Sequence, residues 1–157
     1  MRDDIKKKAY SLLERVDLTP RMLLDRLSER MPDESREEIK SVIRELTERG
    51  VVNIARFGER VIETQKARLY GHRRIEDALI IKRFPKKYIE SVSGMIEFDE
   101  AERALRCLEA RAGRIFANYD INPEETKKLF NYLIRQGYDY RTAGEALENY
   151  KKGKEQA

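Results

Sequence analysis

The stretch from Leu46 to Leu79 constrains the fold of this chain more than any other, because its apolar residues keep helical spacing. Ile54, Phe57, Val61 and Ile62 are separated by 3, 4 and 1 positions, which places them on one stripe of an α-helix. A glycine precedes this stripe and another follows it, and glycine readily ends a helix. The stretch therefore predicts the end of one helix, a complete amphipathic helix and the start of a third.

The rest of the chain repeats this pattern of narrow apolar stripes separated by helix-capping residues. The apolar fraction is 40% and the charged fraction 39%, which suits helices with one thin buried face. Thr19, Ser35, Asn122 and Asp139 precede such stripes, and their side-chain oxygens can cap free helix amides. Proline follows Thr19 and Asn122 at the first helical position, where it is well tolerated. We expect the stripes to include Val16, Ile81 and Met95. The pattern predicts a mostly helical protein.

The predicted helices group into threes. We predict an all-α fold of three tandem three-helix repeats, at residues 1–53, 54–98 and 99–157, with fraying from Lys151 onward. Each repeat alone is small for a stable core, so we expect neighbours to support one another in an elongated, curved rod.

The sequence contains few of the residues and motifs that catalytic and metal-binding sites usually need. The chain has one cysteine, Cys107, and one histidine, His72, and it lacks HExxH, GxxxxGK and GxSxG motifs. We expect Cys107 to pack as a small apolar side chain and His72 to lie at the surface. Pairs of glutamates occur at helix starts, where the helix dipole explains them. The sequence predicts a protein that is not an enzyme and has no cofactor or metal site.

The N-terminal residues and the hydropathy bear on location. Residues 2–8, RDDIKKK, lack the apolar core of a signal peptide. The longest strongly apolar run, residues 78–81, is far too short to span a bilayer. A single cysteine points to a reducing compartment. We therefore expect a soluble cytoplasmic protein that does not act at a membrane, and we expect it to be a monomer.

The positive charge is concentrated in the middle of the chain. Residues 1–53 carry 12 basic and 12 acidic side chains, residues 54–98 carry 10 and 6, and residues 99–157 carry 11 and 11. A local excess of cations favours an anionic partner, either nucleic acid or an acidic protein surface, although a solvated helix face carries similar charge without any partner. Arginine dominates the densest part, and it suits bidentate contacts with carboxylate or phosphate. The predicted partner-binding residues are Arg68, Arg73, Arg74, Lys82 and Arg83, with Lys66, Lys86 and Lys87 beside them.

Two blocks of this sequence resemble the RecX family, the small bacterial regulators of RecA recombinase. The first block is GVVNIARFGERVIETQKARLYGHRRIEDAL, and the matching positions are Gly50, Val51, Val52, Phe57, Gly58, Gly71, Arg74, Ile75 and Leu79. The second block is KLFNYLIRQGYDYRTAGEAL, and the matching positions are Leu129, Leu133, Arg135, Gly137, Tyr138 and Leu147. The resemblance covers roughly residues 9–150. It departs from the family pattern at Asn53 and Ile54, where the family has an acidic pair, and at His72, where it commonly has proline.

The resemblance implies three helical repeats and a non-enzymatic modulator that lies along the groove of a RecA filament on single-stranded DNA. In that family such binding blocks filament extension or promotes disassembly, and so lowers ATP hydrolysis, strand exchange and co-protease activity. Weak, non-specific DNA binding would accompany it. Two alternatives stay open: a DNA-binding protein of helix-turn-helix type, and a helical scaffold for another acidic protein.

Overall fold

The structure is a computed structural model, and it describes residues 2–115 and 121–156. Within those ranges there are ten helices and no strand, so the predicted all-α class is confirmed. The helices are α1 (Arg2–Arg15), α2 (Pro20–Arg30), α3 (Arg36–Glu48), α4 (Ile54–Ala67), α5 (His72–Ile81), α6 (Lys86–Ser91), α7 (Ser93–Glu97), α8 (Glu100–Ile115), α9 (Pro123–Arg135) and α10 (Tyr140–Gln156). Among the described residues, no helix combines the length and apolar character required to cross a bilayer.

The chain divides into two compact units, and the boundaries fall within α4, within α5 and after the first residue of α6. The first unit comprises Met1–Arg60 and Leu79–Lys86, and the second comprises Val61–Ala78 and Lys87–Ala157. The division into repeats at 1–53, 54–98 and 99–157 stays a prediction.

The first unit contains a bundle of α1, α2 and α3. Thr19 and Ser35 cap α2 and α3 by accepting hydrogen bonds from backbone amides, as their positions predicted. Gly50 has a φ of +78° just after α3, the left-handed conformation that glycine adopts most readily. The buried side chains of this bundle are Ile5, Ala9, Leu12, Leu18, Leu23, Leu24, Leu27, Ile39, Val42, Ile43, Leu46 and Val52.

The second unit contains α8, α9 and α10, which pack against one another. A capping box joins Asn122 and Glu125 at the start of α9, and the Asp139 carboxylate accepts a hydrogen bond from the Thr142 amide at the start of α10. Cys107 is buried among apolar side chains as predicted, and this burial raises the pKa of its thiol. The other buried members of this core are Ala104, Leu108, Ala112, Leu129, Leu133, Tyr138, Ala143, Ala146, Leu147 and Tyr150.

Several apolar residues lie outside the core, contrary to their predicted place on a buried stripe. Val16 lies beyond the end of α1 and is exposed, as are Ile81 at the end of α5 and Met95 in α7. Residues 86–97 form two helices, α6 and α7, which are divided at Val92, itself a buried residue. Helix α10 extends to Gln156, although we expected fraying from Lys151. Helical spacing locates a stripe, but it does not show how far tertiary contacts extend along it.

Candidate partner-binding surface

The structure places the predicted cations in both units. Most belong to the second unit: Lys66, Arg68, Arg73, Arg74 and Lys87. The others belong to the first unit: Lys82, Arg83 and Lys86. The structure therefore does not bring all eight cations into one compact unit, although each unit carries some of them.

Two glycines hold the link between α4 and α5 against the turn between α9 and α10. The Gly71 amide donates to the Gln136 carbonyl at 2.8 Å, and the Arg73 amide donates to the Gly137 carbonyl at 3.1 Å. A Cβ atom on Gly71 would lie 2.4 Å from the Gly137 carbonyl carbon, and one on Gly137 would lie 2.6 Å from the Cβ of Arg74. Only glycine allows the backbones to approach so closely at this point. This contact fixes the start of α5, and with it the positions of Arg73 and Arg74.

Two side chains of the second unit donate hydrogen bonds to carbonyls of the link. The Tyr138 hydroxyl donates to the Leu69 carbonyl at 2.7 Å, and Arg103 Nε donates to the Tyr70 carbonyl at 2.8 Å. Leu69 has a φ of +65°, an unusual conformation for a non-glycine residue that ends α4 in place of glycine. Tyr138 is fully buried, and burial raises the pKa of its phenol, so the hydroxyl remains a hydrogen-bond donor.

Arg103 is a buried cation of the second unit, with 4% of its surface exposed. Besides Tyr70, its guanidinium donates to the carbonyls of Ile96 at 3.0 Å and Phe98 at 3.2 Å. It also pairs with the Asp99 carboxylate at 2.8 Å and lies 3.6 Å from that of Glu100. One side chain thus joins the link before α5 to the residues on both sides of the start of α8, and it satisfies carbonyls that helix ends leave free.

His72 and Glu100 form a partly buried pair beside this guanidinium. His72 Nδ1 lies 2.8 Å from one Glu100 oxygen, and the His72 amide donates to the other at 3.2 Å. Burial lowers the pKa of His72, but hydrogen bonding to Glu100 and its negative charge raise it, and the net pKa is raised. His72, Glu100 and Asp139 bring donor atoms within 4.8 Å of one another. Glu100 is bonded to His72 and Asp139 to Thr142, and the absence of a metal site stays our prediction.

Three arginines of the second unit are exposed around this fixed link. Arg68 follows the end of α4, whereas Arg73 and Arg74 lie in the first turn of α5. The Arg74 guanidinium stacks on the Tyr70 ring, 3.9 Å from its centroid. The first turn of α5 contains no acidic residue, and a cation there opposes the helix dipole at a cost of about 0.3–1 kcal/mol. The stability of α5 therefore does not explain this arginine pair.

Lys66 and Lys82 contact other residues of the protein and, unlike the other predicted cations, are only partly exposed. Lys66 Nζ lies 3.3 Å from both the Asp99 carboxylate and the Phe98 carbonyl, and only 18% of its side chain is exposed. Lys82 Nζ lies 5.9 Å from the centroid of the Phe57 ring and is partly buried. Arg83, Lys86 and Lys87 are exposed. The predicted residues that are most available to a partner are therefore Arg68, Arg73, Arg74, Arg83, Lys86 and Lys87.

Known proteins resemble this chain in sequence and in fold. No family model matches it. The Regulatory protein RecX of Clostridium perfringens is 27% identical over 136 residues, which cover 86% of this chain and 63% of that protein. The crystal structure of RecX from Lactobacillus salivarius matches with a TM-score of 0.82 and 18% identity, covering 95% of this chain and 96% of that one. The resemblance to the RecX family is confirmed. The chain spans just under two thirds of the length of its curated RecX relative.

The two RecX-like blocks of the sequence meet at the pair of glycines. Gly71 and Arg74 belong to the first block, and Gly137 and Tyr138 belong to the second. In the structure these residues lie against one another through the Gly71–Gly137 contact, although more than sixty positions separate them in the sequence. The RecX-like motifs thus describe a packing contact that fixes the start of α5.

Arg103 and Glu100 organise this region, but neither was among the residues predicted from the sequence. A signal for them existed, because Glu100 and Arg103 keep helical spacing with Cys107 on the buried face of α8. Charged residues on a buried stripe indicate a paired, internal role, since an isolated buried charge is costly.

Proposed function

We propose that this protein regulates RecA recombinase by binding its filament on single-stranded DNA. By this binding it would inhibit filament extension, ATP hydrolysis, strand exchange and co-protease activity. The observation that carries the proposal is the combined similarity to RecX, in sequence over 86% of the chain and in fold over 95%. The curated relative is named a regulatory protein, which fits a role without catalysis.

Exposed cations in both units support binding to an anionic assembly. Arg73 and Arg74 are held on a fixed helix start, and their side chains oppose the helix dipole instead of stabilising it. Arginine pairs well with carboxylate and phosphate, and a nucleoprotein filament presents both groups. Because each unit carries exposed cations, modest contacts from one chain can reinforce one another. No deep catalytic cleft is required for this mode of action.

A DNA-binding protein of helix-turn-helix type is the alternative, and the charge of α3 disfavours it for the first bundle. In a three-helix unit of that type the third helix enters the major groove. The sequence of α3, REEIKSVIRELTE, has 3 basic and 4 acidic residues, and this balance suits a phosphate-lined groove poorly. In a salt titration with naked DNA, weak and strongly salt-dependent binding supports the filament regulator, whereas tight, sequence-specific duplex binding supports the alternative.

Charge reversal at Arg73 and Arg74 tests the proposed site. We expect the Arg73→Glu/Arg74→Glu variant to need about tenfold or more protein to inhibit DNA-dependent ATP hydrolysis by the recombinase, because charge-assisted contacts contribute about 1.5–3 kcal/mol each. Its thermal midpoint should change little, since glutamate suits the first turn of a helix and this gain offsets the lost stacking of Arg74 on Tyr70.

The matched control is Lys127→Glu/Lys128→Glu, which reverses two adjacent exposed cations of α9 with the same change in net charge. It should inhibit nearly as well as the parent protein. If both variants lose inhibition equally, the effect comes from net charge alone, and the assignment of Arg73 and Arg74 is wrong. If the Arg73/Arg74 variant inhibits like the parent, the assignment is also wrong.

A further inference from the structure

The segment Leu79–Lys86 of the first unit is firmly anchored. Leu79 is fully buried and Phe84 is nearly so. The buried Thr19 hydroxyl donates to the Lys82 carbonyl at 2.8 Å, and the Phe84 ring lies 5.1 Å from the Phe57 ring, centroid to centroid. The residues between these anchors are therefore held in a defined arrangement.

Within this anchored segment, two adjacent isoleucines are exposed to solvent. Ile80 is 57% exposed and Ile81 is 76% exposed. Arg83 and Lys86 are exposed beside them in the chain, and the segment contains no acidic residue. We call Ile80, Ile81, Arg83 and Lys86 the α5 tip. It combines apolar area with positive charge.

The backbone conformation at Arg83 is one in which arginine lowers the stability of the fold relative to glycine. Arg83 has a φ of +64°, and the Phe84 amide donates to the Leu79 carbonyl at 3.1 Å, a helix end of the kind that glycine usually forms. A residue with a Cβ is disfavoured in this conformation. Ile80 and Ile81 likewise gain little from burial in the fold. The positive charge of Arg83 and the apolar side chains of Ile80 and Ile81 therefore contribute little to the stability of the fold.

We infer that the α5 tip docks on a protein surface that offers an apolar patch bordered by carboxylates. The two isoleucines would lose solvent-exposed apolar area, and Arg83 and Lys86 would meet the acids. DNA phosphates would attract the cations but would offer no apolar surface to the isoleucines. The combination of charge and apolar area therefore indicates a protein partner and not a nucleic acid. This inference rests on the function proposed above, and it identifies the recombinase protein, not the DNA within the filament, as what this tip contacts.

Two variants separate these contributions. Arg83→Gly relieves the backbone conformation, so its thermal midpoint should equal or exceed that of the parent. Ile80→Ser/Ile81→Ser removes the exposed apolar area. Each variant should bind recombinase filaments about tenfold or more weakly, because either loss removes interface contacts. Binding of the isoleucine variant to naked single-stranded DNA should not change. Val16→Ser, another exposed apolar position of the first unit, is the control and should bind filaments like the parent.

The outcomes distinguish the inference from the proposed function. If the parent binds filaments and the isoleucine variant binds them equally well, the inference is wrong and the proposed function stands. If the isoleucine variant is unaffected while Arg83→Gly weakens naked DNA and filament binding alike, the tip contacts phosphate and the inference is wrong. If the parent protein does not bind filaments at all, both are wrong.

Discussion

Replacing Arg103 with methionine is expected to lower the free energy of unfolding by about 3–5 kcal/mol, the range found when one partner of a buried ion pair is removed. Methionine fills much of the same space but donates no hydrogen bond. The carbonyls of Tyr70 and Ile96 would lose the Arg103 donor, the Phe98 carbonyl would keep only its bond from Lys66, and Glu100 would lose a nearby cation. Urea denaturation followed by far-ultraviolet circular dichroism, which reports helix content, measures the change.

The control for this prediction is Arg106→Met, three positions further along α8. Arg106 is exposed and pairs with Glu102 one turn away, a contact of the kind that contributes about 0.3–0.5 kcal/mol. We expect its unfolding free energy to remain within about 0.5 kcal/mol of the parent. Equal losses at Arg103 and Arg106 would show that the buried guanidinium does not hold the second unit together.

Replacing Gly71 with alanine is expected to destabilise the second unit by about 3 kcal/mol, at the upper end of overpacking effects. The new Cβ would lie 2.5 Å from both the Gly137 carbonyl oxygen and the Tyr138 amide nitrogen. These are backbone atoms, so relief requires the α9–α10 turn to move away from the link before α5. The hydrogen bond from the Gly71 amide to the Gln136 carbonyl would then lengthen or break. The midpoint of urea unfolding measures the loss.

Gly144→Ala is the matched control, because Gly144 lies in α10 and a Cβ atom there would have no neighbouring atom within 4 Å. Alanine at this position should raise the unfolding free energy by about 0.5–1 kcal/mol through its higher helix propensity. The expected effects thus have opposite signs for the same change of residue. A Gly71→Ala protein as stable as the parent would contradict the close approach of the two RecX-like blocks.

Local signals in the sequence predicted the helices well. Ser35, Asn122 and Asp139 cap the helices that follow them, because capping depends on a side chain and the amides two or three residues later. Gly50 and Gly137 adopt the left-handed conformation where helices end. Such features are decided by short stretches of chain, so the sequence is sufficient to find them.

Features that depend on distant partners were not predictable in the same way. Ile81 has the spacing of a buried residue, yet it is exposed, because helical spacing does not specify where packing against other elements stops. Arg103 was missed because helical spacing indicates only its local pairing with Asp99, whereas the tertiary fold brings the Tyr70 and Ile96 carbonyls to its guanidinium.

The candidate site was predictable in composition but not in arrangement. Charge counting found the cations, and the structure then distinguished Arg73 and Arg74, which are exposed, from Lys66, which is bonded to Asp99. Nothing in the spacing of Lys66 indicated that partner, which lies 33 positions away. The combination of exposed isoleucines with Arg83 likewise became visible only in the fold.

Action on a recombinase filament is tested most directly by the length of the filaments themselves. The recombinase of the same organism is assembled on single-stranded DNA with ATP, and its filaments are imaged by electron microscopy before and after the protein is added. We predict that an equimolar dose shortens the filaments or reduces their number. Filaments that keep their length and number at that dose would contradict the proposed function.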